Sequence, residues 1–158
     1  KWMKNAYIHG PAATGDCTVC HDPHGGKFPF MLWADPKMDI CIACHTDKQN
    51  IKKKKKGFVE HGIIEGNGCS ACHSPHASDY RFQLAGPINE VCVSCHTRMK
   101  GIEKGHPVGR HPLSGVPDRR RVGRELSCSS CHNPHGANYQ YLLIGSLLGG
   151  HVCSKCHN

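Results

Sequence analysis

The stretch Cys17-Thr18-Val19-Cys20-His21-Asp22-Pro23-His24 decides how this chain is read, because it returns twice. It comes back as Cys69-Ser70-Ala71-Cys72-His73-Ser74-Pro75-His76 and as Cys128-Ser129-Ser130-Cys131-His132-Asn133-Pro134-His135. Alternating with these are three plain C-x-x-C-H motifs, Cys41/Cys44/His45, Cys92/Cys95/His96 and Cys153/Cys156/His157. All 12 cysteines of the 158 residues are used, and none is left over. With 14 histidines in the chain, a chance His after all six pairs has a probability on the order of one in a million.

Residues i, i+3 and i+4 share one face of a helical turn. Each motif therefore points two thiols and one imidazole the same way. The thiols suit thioether bonds to the two vinyl groups of a haem, and the imidazole suits its iron from one side, which is the c-type attachment signature. Zinc sites of four thiolates, or of three thiolates and an imidazole, do not require His at one offset six times. A disulfide scaffold leaves the six His unexplained and closes strained short loops. The residues thus predict six covalent c-type haems held through Cys17, Cys20, Cys41, Cys44, Cys69, Cys72, Cys92, Cys95, Cys128, Cys131, Cys153 and Cys156. His21, His45, His73, His96, His132 and His157 are the proximal iron ligands.

Composition agrees. Hydrophobic residues are 38% and aromatics 6%, and removing the cysteines leaves too little aliphatic material for an ordinary enzyme core. The macrocycles become the core, with 18 Gly and 10 Pro letting backbone pass close to flat rings. The expected fold is mostly irregular with small helices, a helical turn at each motif and little or no β-sheet. It is one haem-cored unit over 1–158, built of three two-haem repeats at about 9–45, 61–96 and 106–157, joined by linkers 46–60 and 97–105. Helices are expected to continue through Cys41–Ile51 and Glu90–Lys100. Phe30/Leu32, Phe82/Leu84 and Tyr141/Leu143 recur in register, and are read as short extended segments packing on haem faces.

Eight histidines remain for the opposite side of six irons. His24, His76 and His135 recur three residues after a proximal His, too near to bind the same iron. The stiff Pro between the two histidines presents the second to a neighbouring haem, so H-x-P-H is expected to force haems close together. His9 and His61 each stand eight residues before a first Cys. In the third repeat an insertion containing Asp118-Arg119-Arg120-Arg121 leaves a choice between His106 and His111, with His111 favoured. His151, beside Cys153, is the expected spare. Met3, Met31, Met38 and Met99 do not recur in register and are read as packing residues.

The formal charge of +8 raises nucleic acid as a partner. Six oxidised haems with their propionates add about −6, leaving about +2, and about −4 when reduced. No basic-aromatic interleaving accompanies the charge, so nucleic acid is excluded. Lys52–Lys56 and Arg119–Arg121 remain as local basic patches, solvated or facing propionates or an acidic redox partner. No apolar run approaches the roughly 20 residues of a transmembrane helix. Thioether attachment in prokaryotes takes place outside the cytoplasmic membrane, so an exported, processed chain in the periplasm or outside the cell is expected.

The pattern C-x-x-C-H-x-P-H followed by C-x-x-C-H, with His upstream, resembles the doubled-C-x-x-C-H family of multihaem c-type cytochromes. Related patterns occur in extracellular cytochrome filaments of metal-respiring bacteria and archaea. The resemblance implies bis-histidine ligation, alternating haem contacts and an extracytoplasmic role in respiration. The expected function is electron transfer without a substrate site, exchanging electrons with redox proteins or extracellular acceptors. A homopolymer joined through end-to-end haem contacts is a variant of that reading. The rival is a multihaem reductase of nitrogen or sulfur oxyanions with one iron left open.

Overall fold

Every C-x-x-C-H segment closes into one helical turn, because the His amide donates back to the carbonyl of the first Cys. The six bonds, from His21, His45, His73, His96, His132 and His157, are 2.9–3.1 Å long. The computed structural model describes residues 2–53, 56–101, 106 and 110–157. Lys54 and Lys55 of the lysine run and residues 102–105 of the second linker lie outside the described residues.

The helices are short: α1 (Gly10–Thr14), α2 (Asp39–Ile42), α3 (Gln49–Lys53), α4 (Gly62–Asn67), α5 (Ile88–Val93) and α6 (Cys128–Cys131). Single 3-10 turns carry the first, third and sixth motifs at Cys17–Val19, Cys69–Ala71 and Cys153–Lys155. The one named sheet among the described residues is β1 (Tyr7–Ile8) antiparallel to β2 (Ala77–Ser78), with Tyr7 opposite Ser78 and Ile8 opposite Ala77. The fold is thus irregular and weakly helical, as composition predicts. No described helix is long and apolar enough to cross a membrane.

Two sequence expectations fail. Helices do not run on through Cys41–Ile51 or Glu90–Lys100. His45 and His96 adopt the same non-helical torsions, φ −82°/ψ 63° and φ −81°/ψ 61°, and separate 3-10 turns follow at Thr46–Lys48 and Thr97–Met99. The segments around Phe30, Phe82 and Tyr141 are not extended. They form 3-10 turns at Pro29–Met31, Arg81–Gln83 and Gln140–Leu142. Two consecutive residues in each have positive φ: Phe30 and Met31, Phe82 and Gln83, Tyr141 and Leu142.

Contacts group the chain into two units, Lys1–Lys54 with His61–Pro87, and Lys55–Glu60 with Ile88–Asn158. In the first, Ile51, Ile64 and Ala77 are buried; in the second, Leu113, Leu126, Ala137 and Leu143. These few side chains are no core for units of this size. Phe30 is 80% and Tyr141 71% exposed to solvent by the polypeptide alone.

Each unit contains one joint between successive repeats, made the same way. The segment leading into a plain motif caps the next repeat's extended motif: the Cys69 amide donates to the Lys37 carbonyl (2.9 Å), and the Cys128 amide to Asn89 Oδ1 (3.0 Å). Gly68, at φ +75°, is required at the first joint, since a Cβ there would collide with the Lys37 backbone.

Candidate metal centres

After each extended motif the chain folds back on itself in a loop that recurs three times. Asp22, Ser74 and Asn133 donate their amides to the carbonyls of Met31, Gln83 and Leu142, all at 2.7 Å. The amides of Trp33, Ala85 and Ile144 donate to the carbonyls of Cys20, Cys72 and Cys131 (2.8–3.3 Å). The loop brings the carbonyls of Phe30, Phe82 and Tyr141 to the Nδ1 atoms of His21, His73 and His132, at 2.8, 2.7 and 2.6 Å. A ring donating Nδ1–H to a carbonyl leaves Nε2 as the free lone pair, the tautomer that binds a metal. The positive φ of these residues turns their carbonyls inward, at a cost on the order of 1 kcal/mol each. Register alone marks Phe30, Phe82 and Tyr141 as special; no propensity rule places an aromatic residue at positive φ.

Four pairs of imidazoles face one another. His9 and His45 have ring centroids 6.0 Å apart with planes at 17°, and His21 and His76 lie 6.0 Å apart at 20°. In the other unit His106 and His132 lie 6.3 Å apart at 41°, and His111 and His157 lie 6.2 Å apart at 83°. Imidazole nitrogen binds a first-row metal at about 2.0–2.1 Å and the ring centroid lies about 1.2 Å behind it, so two rings that held one iron between them would stand about 6.5 Å apart. The separations of 6.0–6.3 Å lie within a few tenths of an ångström of that spacing, and also within the range of direct ring contact. Each pair joins a C-x-x-C-H histidine to one of the eight others. His106 and His111, alternatives in the sequence, both face proximal histidines.

The outer nitrogens are held as well. His9 Nδ1 meets the Pro75 carbonyl at 2.9 Å, and His111 Nδ1 the Pro112 carbonyl at 3.1 Å. Burial, with His132 and then His111 nearby, holds the His106 imidazole below its usual range. His9 and His61 are the N-cap residues of α1 and α4, so their shared register is also a shared local structure. In the first unit His9 and His76 are tied to one another: β1 pairs with β2, and the His9 amide donates to the His76 carbonyl (2.8 Å). Trp2 stacks on the His76 ring at 5.0 Å.

His24 and His135 are presented by a tight turn, their amides bonded to Asp22 Oδ1 (2.9 Å) and Asn133 Oδ1 (3.1 Å). Among the described residues no ring faces those of His24 or His151.

The cysteines report how near the motifs lie. The nearness of Cys41 and Cys69 lowers the Cys69 thiol to about 7 and pushes Cys41 up. A hydrogen bond with Cys92 likewise lowers Cys128 to about 7. Burial and then Cys44 raise Cys20, and burial and then Cys156 raise Cys131. One unit therefore holds the first, second and third motifs as sequential neighbours, and the other the fourth, fifth and sixth. Among the described residues no three His, Cys, Asp or Glu side chains converge as a tetrahedral zinc site would need.

The insertion of the third repeat forms a turn with a buried centre. Asp118 is 3% exposed; it accepts from Arg121 Nε (2.6 Å), Ser130 Oγ (2.8 Å) and the Arg120 amide (2.9 Å). Burial pushes its carboxyl up, but these hydrogen bonds outweigh burial and hold it below the usual carboxylate range. The sequence marks the insertion but not this clamp.

Comparison with known proteins agrees with the motifs. A family model described as the doubled CXXCH motif matches residues 9–50, 61–101 and 121–158. The chain is 28% identical over 159 residues to the multiheme cytochrome MtrA of Shewanella baltica (strain OS185), covering 93% of this chain and 43% of that protein. It is 28% identical over 81 residues to the high-molecular-weight cytochrome c of Nitratidesulfovibrio vulgaris (strain Hildenborough), 51% of this chain and 13% of that protein. The chain spans less than half the length of these curated relatives.

Proposed function

The chain belongs to the doubled CXXCH motif family, whose motifs attach c-type haem covalently, and from that premise we propose that it is an electron-transfer protein carrying six bis-histidine haems. The observation that carries this reading is the set of four imidazole pairs at 6.0–6.3 Å. On it, His21/His76 hold the first iron, His45/His9 the second, His132/His106 the fifth and His157/His111 the sixth. The irons of His73 and His96 draw their second ligands from His24, His61 and His135.

Bound haem supplies reversible one-electron chemistry at its iron; the polypeptide sets ligands, spacing and potential. Nδ1 bonds to backbone carbonyls fix the rings, so little rearrangement accompanies a change of charge on the iron. The Cys20–Cys44 and Cys41–Cys69 neighbours support a first–second–third order of haems. Cys92–Cys128 and Cys131–Cys156 support fourth–fifth–sixth. Sequential close haems suit rapid electron passage, in an exported protein of extracytoplasmic respiration.

Filament assembly is a second reading, favoured by one observation: His24 and His151 carry imidazoles that face no described ring and could serve irons of another copy. Negative-stain electron microscopy at low and high salt separates fibres of constant width from discrete particles.

Carbon monoxide added to the dithionite-reduced holoprotein tests the main reading. Six-coordinate irons leave the Soret band unmoved. A shift in one haem would support the reductase with an open iron.

A further inference from the structure

Arg119 and Arg120 are consecutive, yet each grips a different haem-attachment motif. Arg120 Nη1 donates to the Ser130 carbonyl, inside the fifth motif, at 3.1 Å. Arg119 Nη1 donates to the Cys156 carbonyl, inside the sixth, at 3.3 Å. The turn that presents them is anchored from below. Arg121 pairs with buried Asp118 and donates to Ser129 Oγ (3.2 Å) and Ser130 Oγ (2.6 Å), the two residues between Cys128 and Cys131. Asp118 cancels the charge of Arg121, so the charge presented to the two motifs is that of Arg119 and Arg120.

The first repeat holds the corresponding carbonyls with neutral donors. The Val19 carbonyl accepts from the Trp33 indole N–H, and the Cys44 carbonyl accepts from the Thr46 amide at 2.9 Å. In the third repeat two guanidiniums reach the corresponding carbonyls.

We propose that Arg119 and Arg120 are positioning residues that raise the reduction potentials of the fifth and sixth haems, making the third repeat the preferred resting place of electrons on this chain. The inference rests on the six-haem reading above. Reduction makes each haem more negative by one charge, and a cation held beside it stabilises the reduced form more than the oxidised. Both arginines are exposed, so their field is screened by salt. That gives the effect a signature that packing alone lacks.

The sixth haem offers a spectroscopic handle. Its ring planes lie at 83°, against 17° and 20° for the pairs His9/His45 and His21/His76. Near-perpendicular axial planes leave the ferric orbitals nearly degenerate, giving a highly anisotropic low-spin EPR signal distinct from the rhombic signals of near-parallel pairs. The test is an EPR-monitored redox titration of the holoprotein, wild type and Arg119→Gln/Arg120→Gln, in dilute buffer and in 1 M salt. The Debye length falls between these from about 30 Å to about 3 Å.

The double variant is expected to lower the midpoint of the anisotropic signal in dilute buffer, with the shift largely abolished in 1 M salt. The rhombic signals of the first and second haems keep their midpoints, and Arg119→Lys/Arg120→Lys restores the wild-type value. No shift, a shift indifferent to salt, or a lysine variant displaced as far as the glutamine one would overturn the proposal. Intact mass is measured first: fewer than six haems on the wild type overturns the six-haem reading instead.

Discussion

Asp118→Ala removes the buried carboxylate at the centre of the third-repeat insertion, and the structure gives the size of the loss. Three donors lose their acceptor: Ser130 Oγ, the Arg120 amide and the Arg121 guanidinium. At about 1 kcal/mol for each neutral bond and about 1.5–3 for the charged one, the loss is about 4 kcal/mol. The Asp118 side chain is fully buried, but that of Arg121 is 25% exposed and keeps its bonds to Ser129 and Ser130, which returns part of it. About 3 kcal/mol remains, at the lower end of the range for breaking a buried pair. Such a loss is a factor of about 100 in the local opening equilibrium.

Amide hydrogen exchange of the holoprotein reads this directly, through the amides of Arg121, Arg124 and Leu126, which bond to the carbonyls of Asp118, Arg121 and Val116. Their protection should fall about 100-fold, with that of Ala13 and Ile64 in the other unit unchanged. A fall under about threefold would refute the assignment of Asp118 as the anchor. The pH dependence has a definite sign. Because the folded carboxyl lies below its usual range, its contribution is fully present above the unfolded value and is lost as pH falls through the folded one. Protection of these amides in the wild type should therefore weaken in acid, below the ordinary aspartate range, and stay flat near neutrality.

Other substitutions probe the ligands and the joint. His76→Ala should open the first iron, so that carbon monoxide perturbs about one sixth of the Soret intensity; no binding would remove His76 from that iron. His151→Ala should leave every haem low-spin and closed to carbon monoxide, and the appearance of high-spin haem would make His151 a ligand of this chain. Gly68→Ala combines a positive φ with a collision against the Lys37 backbone, at a cost of about 3 kcal/mol or more. It should deplete the haem on Cys69/Cys72, seen as loss of one haem by intact mass and a labelled free thiol at Cys69. Gly10→Ala, with nothing within 4 Å of the added atom, is the tolerated control.

The haem chemistry was legible in the chain because it is written in contiguous spacing. C-x-x-C-H needs only one helical turn, and the turn forms at all six places. The register of the three extended motifs was equally legible, since Asp22, Ser74 and Asn133 begin the same loop. What the sequence does not carry is backbone conformation imposed from a distance. Phe30, Phe82 and Tyr141 look extended by propensity, but the need to deliver a carbonyl to a proximal His holds them at positive φ. Helical propensity continues past Cys44 and Cys95, yet His45 and His96 take non-helical torsions that end the helix. The third repeat hid the most. His106 and His111 read as alternatives because an insertion shifted the register, whereas each faces a different proximal histidine. The Asp118 clamp depends on Ser129 and Ser130, which the motif treats as free positions.

The central claim is that this polypeptide wraps six covalent haems, each iron held by two histidines. Intact mass spectrometry of the holoprotein, paired with its optical spectrum in both oxidation states, tests it most directly. The account predicts one species at the mass of the polypeptide plus six haems, low-spin when oxidised and when reduced. A lower haem count, or a high-spin band in either state, would contradict it.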